Sequence, residues 1–389
     1  MRLLHTADWH LGRTLEGRDR LSEQEQFLEE LCGIVEDQKV DVVLMAGDVF
    51  DTVNPPAAAE QLFYESMAKL TKNQKCKVII IAGNHDNPDR LSASGPLAAL
   101  HGISILGYPT IQPISFGIES TGERLKLAGL PYPSESRLKE ILTESFDEEA
   151  LRNAYDIRIE KLFEELCCNF DASSVNIAMS HIYVAGGRES ESERPIQVGG
   201  AYTVSANALP SKAQYIALGH LHRPQSIHRT SSLARYSGSP LCYSFSEAGQ
   251  SKSVTILDIA PGSEPNMEEL HLSCGKPLVR WKAEDGLAQV HRWLDEKKDT
   301  NAWIDLEVHL KDTLSMEQIH HLRNAHKGFI HIRPVFEEMN GMDRDKRTSD
   351  LPIDELFKRF YERQTNGGTP DEATVTLFME LIHENEGGV

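Results

Sequence analysis

The chain has 389 residues, 40% hydrophobic and 25% charged, with a formal charge of −19. That length exceeds one small core, so two or three domains are expected, and no apolar run is long enough to cross a bilayer. The negative balance argues against a nucleic-acid binder working through a broad basic surface, although the sum omits bound cations and averages over acidic helices that need not face a substrate.

The N-terminus enters a strand almost at once, leaving no room for a signal peptide before it. The first third then alternates strand and helix. Apolar runs at 3–6, 40–45 and 77–82 read as short buried strands, with helical patterns at about 23–38 and 57–71 between them. Such alternation argues for parallel strands with helices on their faces, an α/β core whose ligands gather at the carboxyl ends of the strands. A helix-rich acidic stretch at 134–168 interrupts it, and strands resume at 175–179, 215–218, 233–237 and 253–259. Residues 186–200, rich in Gly, Ser, Glu and Arg, lack periodicity and read as a mobile loop directly after His181.

Near 261–265 the composition shifts to Pro, Gly and Ser, which suggests a boundary. Beyond it strands at 278–281, 302–310 and 329–334 alternate with helices at 286–297 and 315–325, a small α/β module. Two amphipathic helices end the chain. The first opens at Pro352 and carries Leu356, Phe357, Phe360 and Tyr361 on one side. The second opens at Thr369-Pro370-Asp371-Glu372, which reads as a capping box with Pro at the first helical position, and presents Val375, Phe378, Met379 and Ile382. Joined by Asn366-Gly367-Gly368, these helices either fold back on the preceding module or dock a partner's helices. The expected domains are therefore 1–262, 266–338 and 350–389.

The six cysteines show no C-x-x-C spacing and include an adjacent pair, Cys167 and Cys168. They make a poor disulfide framework and a poor zinc site, which favours a reducing, cytoplasmic setting. No phosphate-binding G-x-x-x-x-G-K-[ST] loop occurs, so any use of ATP would belong to another chain.

Five short segments carry metal-binding residues where expected strands give way to loops: Asp8-Trp9-His10, Gly47-Asp48, Gly83-Asn84-His85-Asp86, Ser180-His181 and Gly219-His220-Leu221-His222. Asp8 and His10, like His220 and His222, are two apart, so on an extended backbone both side chains of a pair leave on one side. Asp48 can bridge two metals through its two oxygens, Asn84 adds a neutral carbonyl oxygen, and His181 adds an imidazole. These seven ligands exceed the needs of one ion and suit a two-metal phosphoesterase, with hydroxide attacking phosphorus. The oxygen and nitrogen donors, without thiolate, suit Mn, Fe or Zn better than Mg or Ca, and Mn²⁺ is the expected metal. His85 should face the substrate and give a proton to the departing oxygen, with Asp86 or Asp51 orienting or charging it. Arg13, Arg18, Arg20, Arg90, Arg188 and Arg223 lie near these motifs in sequence and are the candidates for phosphate contact.

At these residues the sequence resembles the calcineurin-like metallophosphoesterase superfamily, and within it the bacterial nuclease subunits that process DNA ends. His5-Thr6-Ala7-Asp8-Trp9-His10-Leu11-Gly12, Ala46-Gly47-Asp48-Val49-Phe50-Asp51, Ala217-Leu218-Gly219-His220-Leu221-His222-Arg223-Pro224-Gln225 and Tyr236-Ser237-Gly238-Ser239-Pro240 carry the likeness. It implies an α/β (α+β sandwich) core with a small capping domain and a C-terminal helix pair. Asp8, His10, Asp48 and His222 would hold one metal and Asp48, Asn84, His181 and His220 the second, with His85 as the catalytic histidine. Some relatives have a histidine where this chain has Asp51, so a second catalytic histidine is not assumed. The resemblance further implies Mn²⁺-dependent cleavage of DNA, exonucleolytic on duplex ends and endonucleolytic on single strands or hairpins, serving repair, recombination and replication. It implies a homodimer through helices near 57–70 and 91–100. It also implies an SbcC-type ATPase partner whose coiled coil docks on 351–382, through residues such as Leu356, Phe357, Phe360, Phe378 and Ile382. A phosphomonoesterase or cyclic-nucleotide phosphodiesterase of the same fold, and a non-enzymatic DNA-end-binding scaffold, are the alternatives.

Overall fold

The structure, a computed structural model, describes residues 1–71, 76–139, 148–193, 202–310, 314–336, 352–364 and 370–386. Residues 1–335 form one compact unit and 336–389 another.

The first unit opens with β1 (Arg2–Thr6), α1 (Leu21–Asp37), β2 (Val42–Met45), α2 (Ala57–Leu70), β3 (Lys77–Ile81), α3 (Pro88–Ser92), α4 (Gly95–Leu100) and β4 (Ile103–Leu106). β1 to β4 lie side by side and parallel, as the alternation predicts. Both faces of this sheet are covered, and that is why its strands read as unbroken apolar runs. Leu4, Val43, Met45, Val78 and Ile80 pack beneath Phe27, Leu31, Phe63 and Met67 of the two long helices. Leu3, Val42, Leu44, Ile79 and Ile81 face the other way.

A second sheet receives that other face. It is built from β5 (Ile114–Gly117), β6 (Arg124–Leu130), β7 (Val175–His181), β10 (Tyr215–Gly219), β11 (Gln225–Ile227) and β12 (Leu233–Tyr236), in the order β11-β12-β10-β7-β6-β5. Along the way come α5 (Glu135–Leu138), α6 (Glu148–Leu166) and a small separate pair, β8 (Tyr183–Val184) with β9 (Thr203–Val204). Leu125, Leu127, Val175, Ile177, Met179, Tyr215 and Ala217 meet the first sheet in one apolar cluster. On the outside, Tyr155, Ile159, Phe163 and Leu166 of α6 cover Ala178, Ile216 and Leu218. The layers therefore run helix, sheet, sheet, helix.

The expected boundary at 262–266 falls elsewhere in the structure. β13 (Ser253–Asp258) pairs antiparallel with β1, and β14 (Asn266–His271) pairs antiparallel with β13. The Pro-Gly-Ser stretch is thus the turn of a hairpin that completes the first sheet, and turn chemistry mimicked a linker. The small module begins after it, with β15 (Leu278–Ala283), α7 (Leu287–Asp295), β16 (Trp303–Leu310), α8 (Met316–Ala325) and β17 (Phe329–Phe336) around its own core of Trp281, Val290, Ile304, Leu306, Leu322 and Phe329.

Glu23 of α1 joins this module to the sheets. Its carboxylate accepts from Trp303 Nε1 at 2.9 Å, from the Lys276 backbone N–H at 2.6 Å and from Arg20 Nε and Nη2 at 2.9 and 2.7 Å. Arg20 is fully buried in that pair, so its place among the phosphate-contact candidates is withdrawn.

The second unit holds α9 (Ile353–Gln364) and α10 (Glu372–Glu386). Phe357 and Phe378 stack on each other, centroids 3.9 Å apart and planes 11° from parallel, so both close the helix pair itself. Phe360 is exposed, and Leu356 and Ile382 are half-buried. Asp371 caps α10 by accepting from the Thr374 backbone N–H at 2.8 Å. Thr369, expected to open that capping box, lies outside the described residues, as do Leu351 and the 366–368 joint. Among the described residues no helix is long and apolar enough to cross a membrane.

Candidate metal centre

All seven expected ligands lie at or just past the carboxyl ends of β1, β2, β3, β7 and β10, three strands from the first sheet and two from the second. Close backbone approach joins the two rims. A Cβ on Gly219 would stand 1.8 Å from the Ala46 carbonyl oxygen, and one on Gly83 would stand 2.1 Å from Asp48 Oδ1. Only glycine fits there, which explains why glycine precedes these ligands in the sequence.

The backbone at the ligands departs from the extended reading. Asp8 (φ 55°), His10 (φ 45°), Asp48 (φ 55°) and His220 (φ 106°) are all left-handed. Non-glycine residues pay about 1–3 kcal/mol for such conformations, which persist where surrounding structure over-determines them. Here the bonds Asp8 N–H to Gly47 O (3.0 Å), His10 N–H to Asp48 O (3.0 Å) and His220 N–H to Asp8 Oδ1 (2.9 Å) hold the turns.

Asp8, His10, Asp48, His181, His220 and His222 are buried, while Asn84 and His85 are half-buried. Ligand atoms converge in three groups: Asp8, His10 and His222; Asp8, Asp48 and His181; and His10, Asp51 and His85. His10 Nε2 and His222 Nε2 stand 3.0 Å apart. Two nitrogen lone pairs at that distance repel unless a proton or cation lies between them. Asp48 Oδ2 lies 3.4 Å from His181 Nε2 within its own group and 3.6 Å from His10 Nε2 of the first. Asn84 Oδ1 is 2.9 Å from His181 Nε2. His220 stands apart from the three groups, its ring 5.5 Å from that of His181. The donor set fits divalent cations.

Electrostatics say the same. Burial, then the charge of Asp48, pushes Asp8 well above the usual carboxylate range. Burial pulls His10 and His220 well below the ordinary imidazole value. Burial would also raise Asp48, but His181 and His85 overcome it and hold that carboxyl low. Burial likewise opposes charge on His181, yet Asp48 and Asp8 lift it to about 9. The carboxylates of Asp48 and Asp8 thus favour positive charge beside them, as a bound cation would supply.

His85 is half-buried, with 12% of its side chain exposed. Its Nδ1 is 2.7 Å from the Asp51 carbonyl oxygen, its backbone N–H donates to Asp48 Oδ1 at 2.8 Å, and its Nε2 is 4.0 Å from Asp48 Oδ2. Asp51 orients the ring through its main chain. Asp86 does not reach it: the carboxylate accepts the backbone N–H groups of Gly83 (2.8 Å), Phe50 (3.0 Å) and Val49 (3.2 Å). Asp86 therefore sets the loop carrying Asn84 and His85, and burial with Asp48 nearby raises its carboxyl to about 6.

Several contributors carry no motif of their own. Arg137 donates to the Gly83 and Asp86 carbonyls at 2.8 and 2.7 Å, bracing that loop from outside. Tyr243 donates to the Trp9 carbonyl and lays its ring against His10 and His222. Glu247 pairs with Lys252 and lies 3.9 Å from His222 Nδ1. Among the remaining arginine candidates, Arg13 is turned inward onto the Tyr243 ring and the Ser192 carbonyl, and Arg90 pairs with Glu60 at 2.8 Å. Arg18, Arg188 and Arg223 are exposed.

Residues 1–224 match the family model described as calcineurin-like phosphoesterase. The chain is 60% identical to the SbcD subunit of the SbcCD nuclease from Bacillus subtilis (strain 168), across 98% of this chain and 97% of that one. The chain belongs to the calcineurin-like phosphoesterase family, in its SbcD group. The SbcD proteins of Rhodobacter capsulatus (35% identical, 73% of this chain and 72% of that one) and Escherichia coli K12 (27%, 100% and 99%) are similar along much or all of their length. Residues 274–365 match the Type 5 capsule protein repressor C-terminal domain, which spans the small module and α9.

Proposed function

We propose that this phosphoesterase is the nuclease subunit of an SbcCD-type complex that processes DNA ends, cutting phosphodiesters at a two-metal, Mn²⁺-dependent centre. The observation that carries the reading is the convergence of Asp8, His10, Asp48, Asn84, His181 and His222 at one rim, with Asp48 Oδ2 within 3.6 Å of His10 and 3.4 Å of His181. Asp8, His10, Asp48 and His222 would hold one ion, and Asp48, Asn84, His181 and His220 the other. When bound, the ions supply Lewis-acid activation of water and of the scissile phosphate.

The chain's own residues do the rest. Asp86 and Arg137 fix the loop that brings Asn84 against His181 and His85 against Asp48 and Asp51. His85 gives its Nδ1–H to the Asp51 carbonyl, so it can pass a proton from Nε2 to the departing sugar oxygen only as the imidazolium. Arg188 and Arg223, exposed beside the site in sequence, are the stronger candidates for phosphate contact, whereas Arg13 and Arg90 already have partners.

Duplex ends would be cut exonucleolytically and single strands or hairpins endonucleolytically. Homodimerisation through α2 and α4 is supported by exposed Tyr64, Leu97 and Leu100. Docking of an SbcC-type ATPase coiled coil on α9 and α10 is supported by exposed Ile353, Phe360 and Leu377. The test is degradation of duplex and hairpin DNA in Mn²⁺ and Mg²⁺, set beside turnover of a generic phosphate monoester. Rapid monoester turnover with intact DNA would overturn the proposal. His85→Ala should retain metal and DNA binding and lose cleavage by about 100-fold or more, on the order expected for a general acid.

A further inference from the structure

The segment after His181 ties itself to the metal centre through a chain of hydrogen bonds whose direction is fixed. His222 Nδ1 lies 2.6 Å from Ser192 Oγ, Ser192 Oγ lies 2.7 Å from Ser190 Oγ, and Ser190 Oγ donates to Glu193 Oε2 at 2.6 Å. The same carboxylate closes the ring, since its Oε1 accepts the His222 backbone N–H at 2.8 Å. Ser192, Glu193 and His222 are all buried.

A carboxylate only accepts, and each hydroxyl has one proton to give. With the proton of Ser190 committed to Glu193, the proton of Ser192 goes to Ser190. Ser192 Oγ then has only an acceptor role to offer His222, so Nδ1 must carry the hydrogen. Neutral His222 consequently presents an unprotonated Nε2 to the place where His10 Nε2 stands 3.0 Å away. Histidine ligands of metals commonly have the second nitrogen held in this manner.

His181 and His85 are oriented differently. Their Nδ1 atoms sit 2.9 and 2.7 Å from the carbonyls of Ala46 and Asp51, on backbone anchored to the core sheet. His222 instead depends on a segment without regular secondary structure, pinned by Arg13 Nη2 to the Ser192 carbonyl at 2.7 Å and by the Glu191 backbone N–H to Ser246 Oγ at 3.1 Å.

We propose that Ser192, with Ser190 and Glu193, is a positioning residue that sets the tautomer of His222 and thereby the affinity of one metal ion, resting on the two-metal reading above. Positioning of the loop and occupancy of that ion are then linked: whatever orders one favours the other.

Two measurements on the full chain test this. In metal-free protein, ¹⁵N shifts of labelled histidine should show His222 with Nδ1–H and a bare Nε2, with a mixture of tautomers in Ser192→Ala and the single form restored in Ser192→Thr. Calorimetric titration with Mn²⁺ should give two sites, one of them weakened by about 10- to 100-fold in Ser192→Ala and recovered in Ser192→Thr. A wild-type Nε2–H tautomer, or a tautomer unchanged by Ser192→Ala, overturns the inference. So do equal Mn²⁺ affinities in wild type and Ser192→Ala. If the wild type binds no Mn²⁺ at all, the metal reading itself falls, while the tautomer measurement still decides the role of Ser192.

Discussion

His5 points from β1 into the apolar space between the sheets and is fully buried. Its Nδ1 is 2.8 Å from the Tyr215 hydroxyl, and its Nε2 has no hydrogen-bond partner among the described residues. Burial, reinforced by the charge of Arg235, pushes its pKa from 6.5 down to about 3. An unfolded chain therefore takes up a proton below pH 6.5 that the folded chain refuses until about pH 3. Stability attributable to this residue is intact above 6.5 and lost progressively as pH falls across that window. At pH 5, about 1.5 units below the unfolded value, the loss is about 2 kcal/mol at roughly 1.36 kcal/mol per unit. Urea unfolding of wild type and His5→Gln near pH 7.5 and pH 5 measures it. The variant should lose about 2 kcal/mol less than the wild type between the two conditions. Equal losses would refute the argument, because the other titrating groups are common to both proteins.

With His181 lifted to about 9 by Asp48 and Asp8, ion binding near pH 7.5 should release protons, read by calorimetry in buffers of different ionisation enthalpy; no buffer dependence would contradict the His181–Asp48 pairing. Gly219→Ala should fail to yield folded, soluble protein, since the new Cβ would meet the Ala46 carbonyl at 1.8 Å. Gly33→Ala, in mid-helix with nothing within 4 Å, should raise the unfolding free energy by up to about 1 kcal/mol. Glu23→Gln should destabilise the first unit by roughly 3 kcal/mol by leaving the buried Arg20 charge without its counterion, measured by denaturant unfolding.

The polar residues at strand ends were legible because each motif fuses two constraints, a tight backbone and a ligand. Gly83 and Gly219 admit neighbouring main chain, and the next residues hold the donors. The parallel strands were equally plain, since burial on both faces leaves unbroken apolar runs such as 77–82. What escaped were features with no local signature. β4 and β5 are edge strands, and β6 takes its place only by pairing with the distant β7. The β13–β14 hairpin hid behind a turn that resembles a linker. Arg20 reads as a surface cation until Glu23 and Trp303 close over it. Left-handed backbone at Asp8, His10, Asp48 and His220 is imposed by bonds across the rim, which neighbours in sequence cannot reveal. Ser192 looked like one more polar loop residue, and only its distance to His222 distinguishes it.

β1 is made well before its antiparallel neighbour β13, which lies about 250 residues later in the chain. His220, too, is made 212 residues after Asp8, and His222 follows it. At about 5–20 residues per second, a nascent chain spends on the order of tens of seconds with a half-finished sheet and no complete set of ligands. A hydrolytic centre distributed in this way cannot assemble on a chain that stops before His222 and β13. Synthesis itself thus delays activity until the whole double sheet is available, and an early stop yields an inert fragment.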